Sequence, residues 1–302
     1  QAILQLRRYL VTHCIDVLHT HGFKSDIIGA LAAWGLPVRL VSTLHGWSAD
    51  EGWLIRAYEA IGRLFLRRFD RLYPLSPALL RTLQRLNFPA SKLRLVLNAV
   101  DETAFEASWQ QRQTRQAHEP LTILFVGRLC RPKGIFDLLH AFHRSRFDVP
   151  ALLQVVGEGP ERAEIEALCE RLDIASRVRF VGFVDDVRPL YDSSDVLVLP
   201  SYSEGIPRVV MEAFAAGLPV IGTAIPGIQQ LVTHEGTGLL APLGDEAGLA
   251  QALERMAAAP EWARDMALQA RHLIETTHAA SRQAQEFEAE YIELAREVRA
   301  TR

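Results

Sequence analysis

Four charged side chains, Arg128, Lys133, Glu204 and Glu212, have the types and spacing to hold a charged ligand. The segment Asp195–Thr223 reads DVLVLPSYSEGIPRVVMEAFAAGLPVIGT. An apolar strand, Val196–Leu199, breaks at Pro200 into a polar loop; a helix opens near Pro207 and a second strand follows at Val220. The first turn of a helix presents N–H groups without partners and a partial positive charge, so this junction suits an anion such as a diphosphate. Proline in that first turn costs no hydrogen bond. Glu204 and Glu212 flank the junction, and acids beside an anion site make sense if they accept hydrogen bonds from sugar or ribose hydroxyls. The plain alternative is that acids in early helical turns only complement the helix dipole.

A second element favours the ligand. LTILFVGRLCRPKGIFDLLHAF places a strand over Leu121–Val126, then Gly127, with Arg128 and Lys133 flanking a turn before a helix over Ile135–Phe142. Open α/β sheets bind ligands beyond the carboxyl ends of their strands. Both elements therefore bring polar residues to one rim. Two cations opposite two carboxylates match a diphosphate with a sugar at one end and a ribose at the other, a nucleotide-sugar.

The chain resembles retaining glycosyltransferases of family 4, which have the GT-B fold. The blocks that carry the likeness run in the family's order over nearly the whole chain: HTHGFKSD, STLHGW, LSPALL, LNAVD, GRLCRPKG, VVGEGP, FVGFVDDV, SEGIPRVVMEAFAAGLPV and GTGLLAPLGD. The E-x7-E element with the Arg/Lys pair is the specific part. The resemblance implies two Rossmann-like domains facing across a cleft. It implies sugar transfer from a nucleoside diphosphate, UDP- or GDP-linked, to a hydroxyl of a sugar or lipid-linked acceptor, with retention and without metal or cofactor. Arg128 and Lys133, with backbone N–H groups around Gly205, Ile206 and Pro207 and the close approach at Gly127, would stabilise the leaving diphosphate. Glu204 would hold the donor sugar and Glu212 the ribose. The resemblance puts Val184 and Asp186 beside the base and His45 at the reacting centre, where Gly46 would allow close backbone approach; His21 is a lesser candidate there. Two departures are visible: Ala99 stands where the family favours glycine, and Gln230 where it often has an acid.

Composition agrees with this class. The 302 residues suit about two domains, and no apolar run is long enough to span a membrane. Cys14, Cys130 and Cys169 are scattered without zinc spacing and read as reduced, mostly buried thiols. No histidine or acid cluster has metal spacing; Asp185–Asp186 reads as a loop after a strand. Charge is uneven: residues 1–100 carry +7 and the remainder −10. Leu54–Phe69 is amphipathic, with Leu54, Tyr58, Ile61 and Phe65 on one stripe and Arg56, Arg63 and Arg67 on another. It reads as a surface helix packed on a sheet, or as an interfacial helix held against anionic lipid at the inner face of the plasma membrane. A cytoplasmic setting is expected, and no nucleic-acid partner.

The elements that must position these residues alternate between helix and strand. In the first part these are a helix over Ala2–Val11, strand Asp16–His19, helix Asp26–Trp34, strand Val38–Thr43 and strand Arg71–Leu75. A helix capped by Ser76 and begun by Pro77 follows, then strand Leu93–Leu97. Strands open again at Leu121, Leu152, Val178, Val196 and Val220, and the last helix covers Arg282–Arg299. The glycines of VVGEGP read as a tight turn, since the third glycine of a dinucleotide fingerprint is lacking. The domains expected are 1–107, a connection at 108–120 within the polar stretch Glu106–Pro120, 121–275, and a terminal helix 276–302 crossing back. Family members open with a strand, a glycine-rich loop and further units before the point matched by Gln1; at about 30 residues per βαβ unit, roughly 60 residues and an N-terminal sheet edge are expected to be missing. Open alternatives are a GT-B nucleotide-sugar epimerase or phosphorylase, a nucleotide-sugar-binding module without turnover, and a structural or lipid-surface protein.

Overall fold

The computed structural model describes residues 1–45, 53–114 and 120–301, the side chains of 53–59 and 301 excepted. Gly46, the Leu54, Arg56 and Tyr58 side chains and the end of the polar connection lie outside the described residues. The chain divides into two units, Gln1–Asn98 with Ser281–Arg302, and Ala99–Ala280. The elements of the first are α1 (Ala2–Thr12), β1 (Val17–His21), α2 (Phe23–Ala32), β2 (Arg39–Leu44), α3 (Trp53–Leu66), β3 (Arg71–Pro74) and α4 (Pro77–Arg85). Those of the second are α5 (Glu106–Thr114), β4 (Leu121–Val126), α6 (Ile135–Arg144), β5 (Ala151–Val156), α7 (Arg162–Arg171), β6 (Val178–Gly182), α8 (Arg188–Ser193), β7 (Val196–Leu199), α9 (Arg208–Ala215), β8 (Val220–Thr223), α10 (Pro226–Gln229), β9 (Leu239–Ala241), α11 (Glu246–Ala258) and α12 (Pro260–Leu273). Helix α13 (Ala280–Thr301) closes the chain, and nearly all of it belongs to the first unit.

The second unit is built on a six-stranded parallel sheet of order β6-β5-β4-β7-β8-β9. A strand in such a sheet is buried on both faces, so it reads as a continuous apolar run whose alternate residues enter opposite cores. Ile123 and Phe125 of β4 join Val196 and Val198 of β7 in one core. Leu124, Leu197 and Leu199 enter the other. From β4 the chain winds outward to β5 and β6, then returns to place β7 against β4's other side, pairing Ile123 with Val196. The order thus reverses between β4 and β7, which is where a doubly wound sheet opens a ligand crevice.

The first unit carries three parallel strands in the order β1-β2-β3. Leu40, Leu44 and Leu72 face a core with Leu66, Phe69 and Leu83. Val41 and Tyr73 face Leu294, with Phe287 and Tyr291 of α13 packed alongside. Ser76 caps α4 by accepting from the Leu79 N–H at 3.2 Å.

Several boundaries differ from expectation. Helix α2 starts at Phe23, because Asp26 is turned inward and accepts from Thr20 at 2.5 Å and Ser42 at 2.7 Å. Leu93–Leu97 is not a strand: Leu93 makes one bridge to Leu72, and the Arg94 and Val96 N–H groups reach the Leu72 and Pro74 carbonyls. Its four-residue partner β3 ends at Pro74 and offers no further ladder. The polar stretch from Glu106 is helical as far as Thr114, its Arg112 donating to the Tyr191 and Ser194 carbonyls. Cys14 is exposed at a turn with φ of 50° rather than buried; Cys130 is partly buried and Cys169 buried.

Candidate active site

Arg128 and Lys133 follow β4, and Glu204 and Glu212 follow β7, so all four lie beyond the carboxyl ends of the two strands that flank the reversal. Lys133 Nζ donates to Glu204 Oε1 at 2.6 Å, with the lysine side chain 30% exposed and the glutamate 11%. The lysine stem passes beside Gly127, where an added Cβ would stand 3.9 Å from Lys133 Cδ. Arg128 is exposed and makes no ion pair among the described residues. A fixed lysine and a free guanidinium on one rim leave cationic charge available to a diphosphate.

Backbone contacts set this geometry. Gly134 starts α6 in the left-handed region, φ 69°, and a Cβ there would lie 1.9 Å from the Pro200 carbonyl oxygen. Only glycine permits that approach, which presses the turn after β4 onto the exit of β7. The Tyr202 N–H donates to the Pro132 carbonyl at 2.8 Å, and the Tyr202 hydroxyl to Asp137 Oδ2 at 2.8 Å. On the other side, the Thr223 hydroxyl donates to the Ser201 carbonyl at 2.5 Å. A Cβ on Gly227 would meet the Glu204 and Gly205 carbonyl oxygens at 2.2 and 2.1 Å. The loop bearing Glu204 is thereby held between the turn after β4 and helix α10.

Helix α9 begins at Arg208, with Pro207 as N-cap rather than in the first turn. Pro207 has no N–H, so the donors at this junction are those of Gly205, Ile206, Arg208 and Val209. Gly205 is exposed, and Ile206 packs on the core beneath. Glu212 is 9% exposed and both oxygens are engaged: Arg208 Nε donates to Oε1 at 2.8 Å and the Tyr191 hydroxyl to Oε2 at 3.0 Å. Burial, then the Glu212 charge, push the Tyr191 phenol well above its ordinary value, so it remains a donor. Tyr191 and Arg208 were not foreseen. Arg208 is four residues from Glu212 and could have been noticed; Tyr191 comes from a different helix and gave no local signal.

The remaining expected residues are dispersed. Val184 packs on the core beside β6, and Asp186 accepts from the Arg188 N–H at 3.0 Å and from its guanidinium at 2.9 and 2.8 Å. That hydrogen bonding holds the Asp186 carboxyl below its ordinary range. Gly157 and Gly159 form the tight turn, for a Cβ would fall 2.1 Å from the Gly127 oxygen and 2.2 Å from the Leu129 oxygen. His45 belongs to the first unit, exposed at the end of β2, its ring 5.8 Å from His21. A 430 Å³ pocket lined by Trp109, Leu121, Val196, Gly217 and Leu253 lies at the opposite, amino ends of β4 and β7, away from the four charged residues.

Residues 120–259 match the family model of glycosyl transferases group 1, and residues 1–99 that of the glycosyl transferase 4-like domain. The N-acetyl-alpha-D-glucosaminyl L-malate synthase of Bacillus anthracis is 27% identical over 94% of this chain and 76% of its own length. An uncharacterized glycosyltransferase of Methanocaldococcus jannaschii is 30% identical over 74% of the chain, which spans 61% of that relative. Among solved structures, Anabaena Alr3699/HepE in complex with UDP superposes with a TM-score of 0.81 at 21% identity, over 96% of this chain and 81% of its own. Two glycosyltransferase models that together cover most of the chain, on parallel sheets of this topology, show that it belongs to the family 4 glycosyltransferases of the GT-B fold.

Proposed function

We propose that the chain transfers a hexosyl group from a nucleoside-diphosphate sugar to an acceptor hydroxyl with retention at the anomeric carbon. The observation that carries this reading is the Lys133–Glu204 contact at 2.6 Å across the reversal between β4 and β7. Arg128, Lys133 and the N–H groups leading into α9 offset charge on the departing diphosphate, a task that otherwise falls to a divalent metal. Glu204 holds sugar hydroxyls and Glu212 the ribose, reached alongside Arg208 and Tyr191. Val184 and Asp186 stand by the base, and His45 orients the reacting groups. Alr3699/HepE was solved with UDP and with UDP-glucose, which makes UDP-glucose the first donor to try.

The biological setting proposed is assembly of a bacterial surface polysaccharide or glycolipid. Relatives include the amylovoran biosynthesis glycosyltransferase AmsK of Erwinia amylovora and a lipopolysaccharide core glycosyltransferase of Rhizobium meliloti. No helix among the described residues is long and apolar enough to cross a membrane. Peripheral contact is proposed through α3, where Ile61 and Leu64 are 49% and 68% exposed beside Arg63, Arg67 and Arg68. The Arg67 guanidinium lies over the Phe88 ring and that of Arg68 over Trp34. Flotation with anionic and neutral vesicles tests this, and equal recovery with both would remove it.

Isothermal titration with UDP, GDP and ADP, with and without magnesium, tests the donor site. Metal-independent binding of one diphosphate, lost in Arg128→Ala, is expected. Binding only with magnesium, or binding that survives Arg128→Ala, would overturn the assignment. Anomeric proton couplings of the product then report retention or inversion.

A further inference from the structure

The contact between Tyr191 and Glu212 joins two short helices, α8 and α9, and both are held at their carboxyl ends from elsewhere in the chain. A helix leaves its last four carbonyls without partners of its own. At the end of α9 two of the four are met locally, around Gly217 with its φ of 71°: the Gly217 N–H donates to Phe214 at 3.0 Å and the Leu218 N–H to Ala213 at 2.8 Å. The other two are met by distant arginines. Arg271 Nη1 donates to the Ala215 carbonyl at 2.6 Å, and Arg112 Nε to the Ala216 carbonyl at 3.3 Å.

Arg112 serves α8 as well. Its Nη2 donates to the Tyr191 carbonyl at 2.6 Å and to the Ser194 carbonyl at 3.0 Å. One guanidinium thus bonds the carboxyl ends of both helices, where the helix dipole favours a cation. Tyr191, Ser194 and Ala216 are fully buried, so these carbonyls depend on a protein donor. Gly217 lets α5 come close enough: a Cβ there would lie 2.4 Å from Trp109 Cε3 and 3.3 Å from Arg112 Cδ. The start of α5 is tied in turn by Glu106, which accepts from Arg271 Nη2 at 2.8 Å.

Both partners of the buried contact therefore refer to Arg112. It holds Tyr191 by the carbonyl, and the Tyr191 hydroxyl holds Glu212 Oε2 at 3.0 Å. It holds α9 at Ala216, whose N–H donates to the Glu212 carbonyl at 2.9 Å. A planar fork can span carbonyls of two helices at once, and a single ammonium cannot hold that geometry.

We propose that Arg112 is a positioning residue for donor binding: by joining the ends of α8 and α9 it sets the Tyr191–Glu212 contact, and with it the carboxylate that receives the ribose. The inference rests on the donor reading above, in which Glu212 meets the ribose hydroxyls.

The test compares UDP with 2′,3′-dideoxyuridine diphosphate by calorimetry on the full chain; GDP and its dideoxy analogue replace them if GDP is the diphosphate bound. The parent should prefer UDP at least about tenfold, the scale of hydrogen bonds to a charged group, and Glu212→Ala should abolish the preference. Arg112→Lys should lower it severalfold while leaving dideoxy binding unchanged. Arg112→Met keeps the stem without the donors and should lower it further; if that variant does not fold, Arg112→Lys carries the test. In chain labelled with ¹³C at tyrosine Cζ, the Tyr191 signal, identified by Tyr191→Phe, should move in Arg112→Lys toward its place in Glu212→Ala. Full preference and an unmoved Tyr191 signal in Arg112→Lys would overturn the inference and leave the donor reading standing. Equal weakening of both ligands would make Arg112 a structural residue only, and would also overturn it. A parent without preference, or a preference indifferent to Glu212→Ala, would instead count against the ribose reading, with the Tyr191 signal still deciding whether Arg112 sets the contact.

Discussion

Lys133 Nζ and Glu204 Oε1 lie 2.6 Å apart although 71 residues separate them in sequence. The contact joins the turn after β4 to the loop after β7, so one lysine serves both halves of a doubly wound sheet. Its partial exposure weakens its worth as a stabilising ion pair; in the proposed function it holds a cation where the donor diphosphate would arrive. Lys133→Ala and Glu204→Ala are each expected to lower kcat with UDP-glucose roughly 100- to 1,000-fold, as losing a preorganised charge-stabilising group does. Initial rates decide this, and rates near the parent's in both variants would remove the assignment.

Gly134 is expected to be the least replaceable glycine near the site. Its φ of 69° alone strains any other residue by about 1–3 kcal/mol. A Cβ 1.9 Å from the Pro200 oxygen adds a displacement of the loop that carries Glu204. Gly244→Ala is the control: φ is 72°, yet the nearest atom to its Cβ is the Tyr202 hydroxyl at 3.6 Å. Thermal unfolding should show the larger loss in Gly134→Ala, accompanied by weakened UDP binding that Gly244→Ala does not share.

Tyr191→Phe takes away the donor to a carboxylate oxygen that is almost out of water. Leaving such an acceptor unsatisfied costs about 1–3 kcal/mol, read as a fall in the urea midpoint, and KM for the donor should rise. Arg208→Ala removes the other partner, but its side chain is 80% exposed, so its effect on stability should be much smaller. Equal losses in the two variants would contradict this ranking.

His19 gives the fold an acid sensitivity with a definite sign. Burial first, and His21 second, lower its pKa from 6.5 to about 4 in the folded chain. Between those values the unfolded chain binds more protons, so stability is fully present above pH 6.5 and is lost as pH falls toward 4. The loss from this residue is at most about 3 kcal/mol. Urea midpoints measured across that range should decline for the parent chain and decline less for His19→Gln. Parallel profiles would show that His19 is not the group responsible.

Much of this protein was legible in the chain alone. Strands Leu121–Val126 and Val196–Leu199 lie where their apolar runs place them, and Ser76 caps the helix it precedes. Hydrophobic runs and caps are decided within a few residues, so sequence carries them. The motif blocks also identified the family, because residue types at fixed spacing survive where partners change.

Tertiary structure decided the rest. Asp26 looked like the start of a helix, yet it turns inward to Thr20 and Ser42, a choice made by burial rather than propensity. Leu93–Leu97 has the composition of a strand but makes one bridge, to Leu72, beside a β3 that ends at Pro74. The grip of Tyr191 on Glu212, and the pinning of His19 by Tyr291 from 272 residues away, involve no local pattern at all. The sequence by itself determined which groups are present and which elements carry them. Which groups meet depended on strand order and on backbone approaches such as Gly134 against Pro200, since contacts between distant segments are made by packing and leave no mark on the residues nearby.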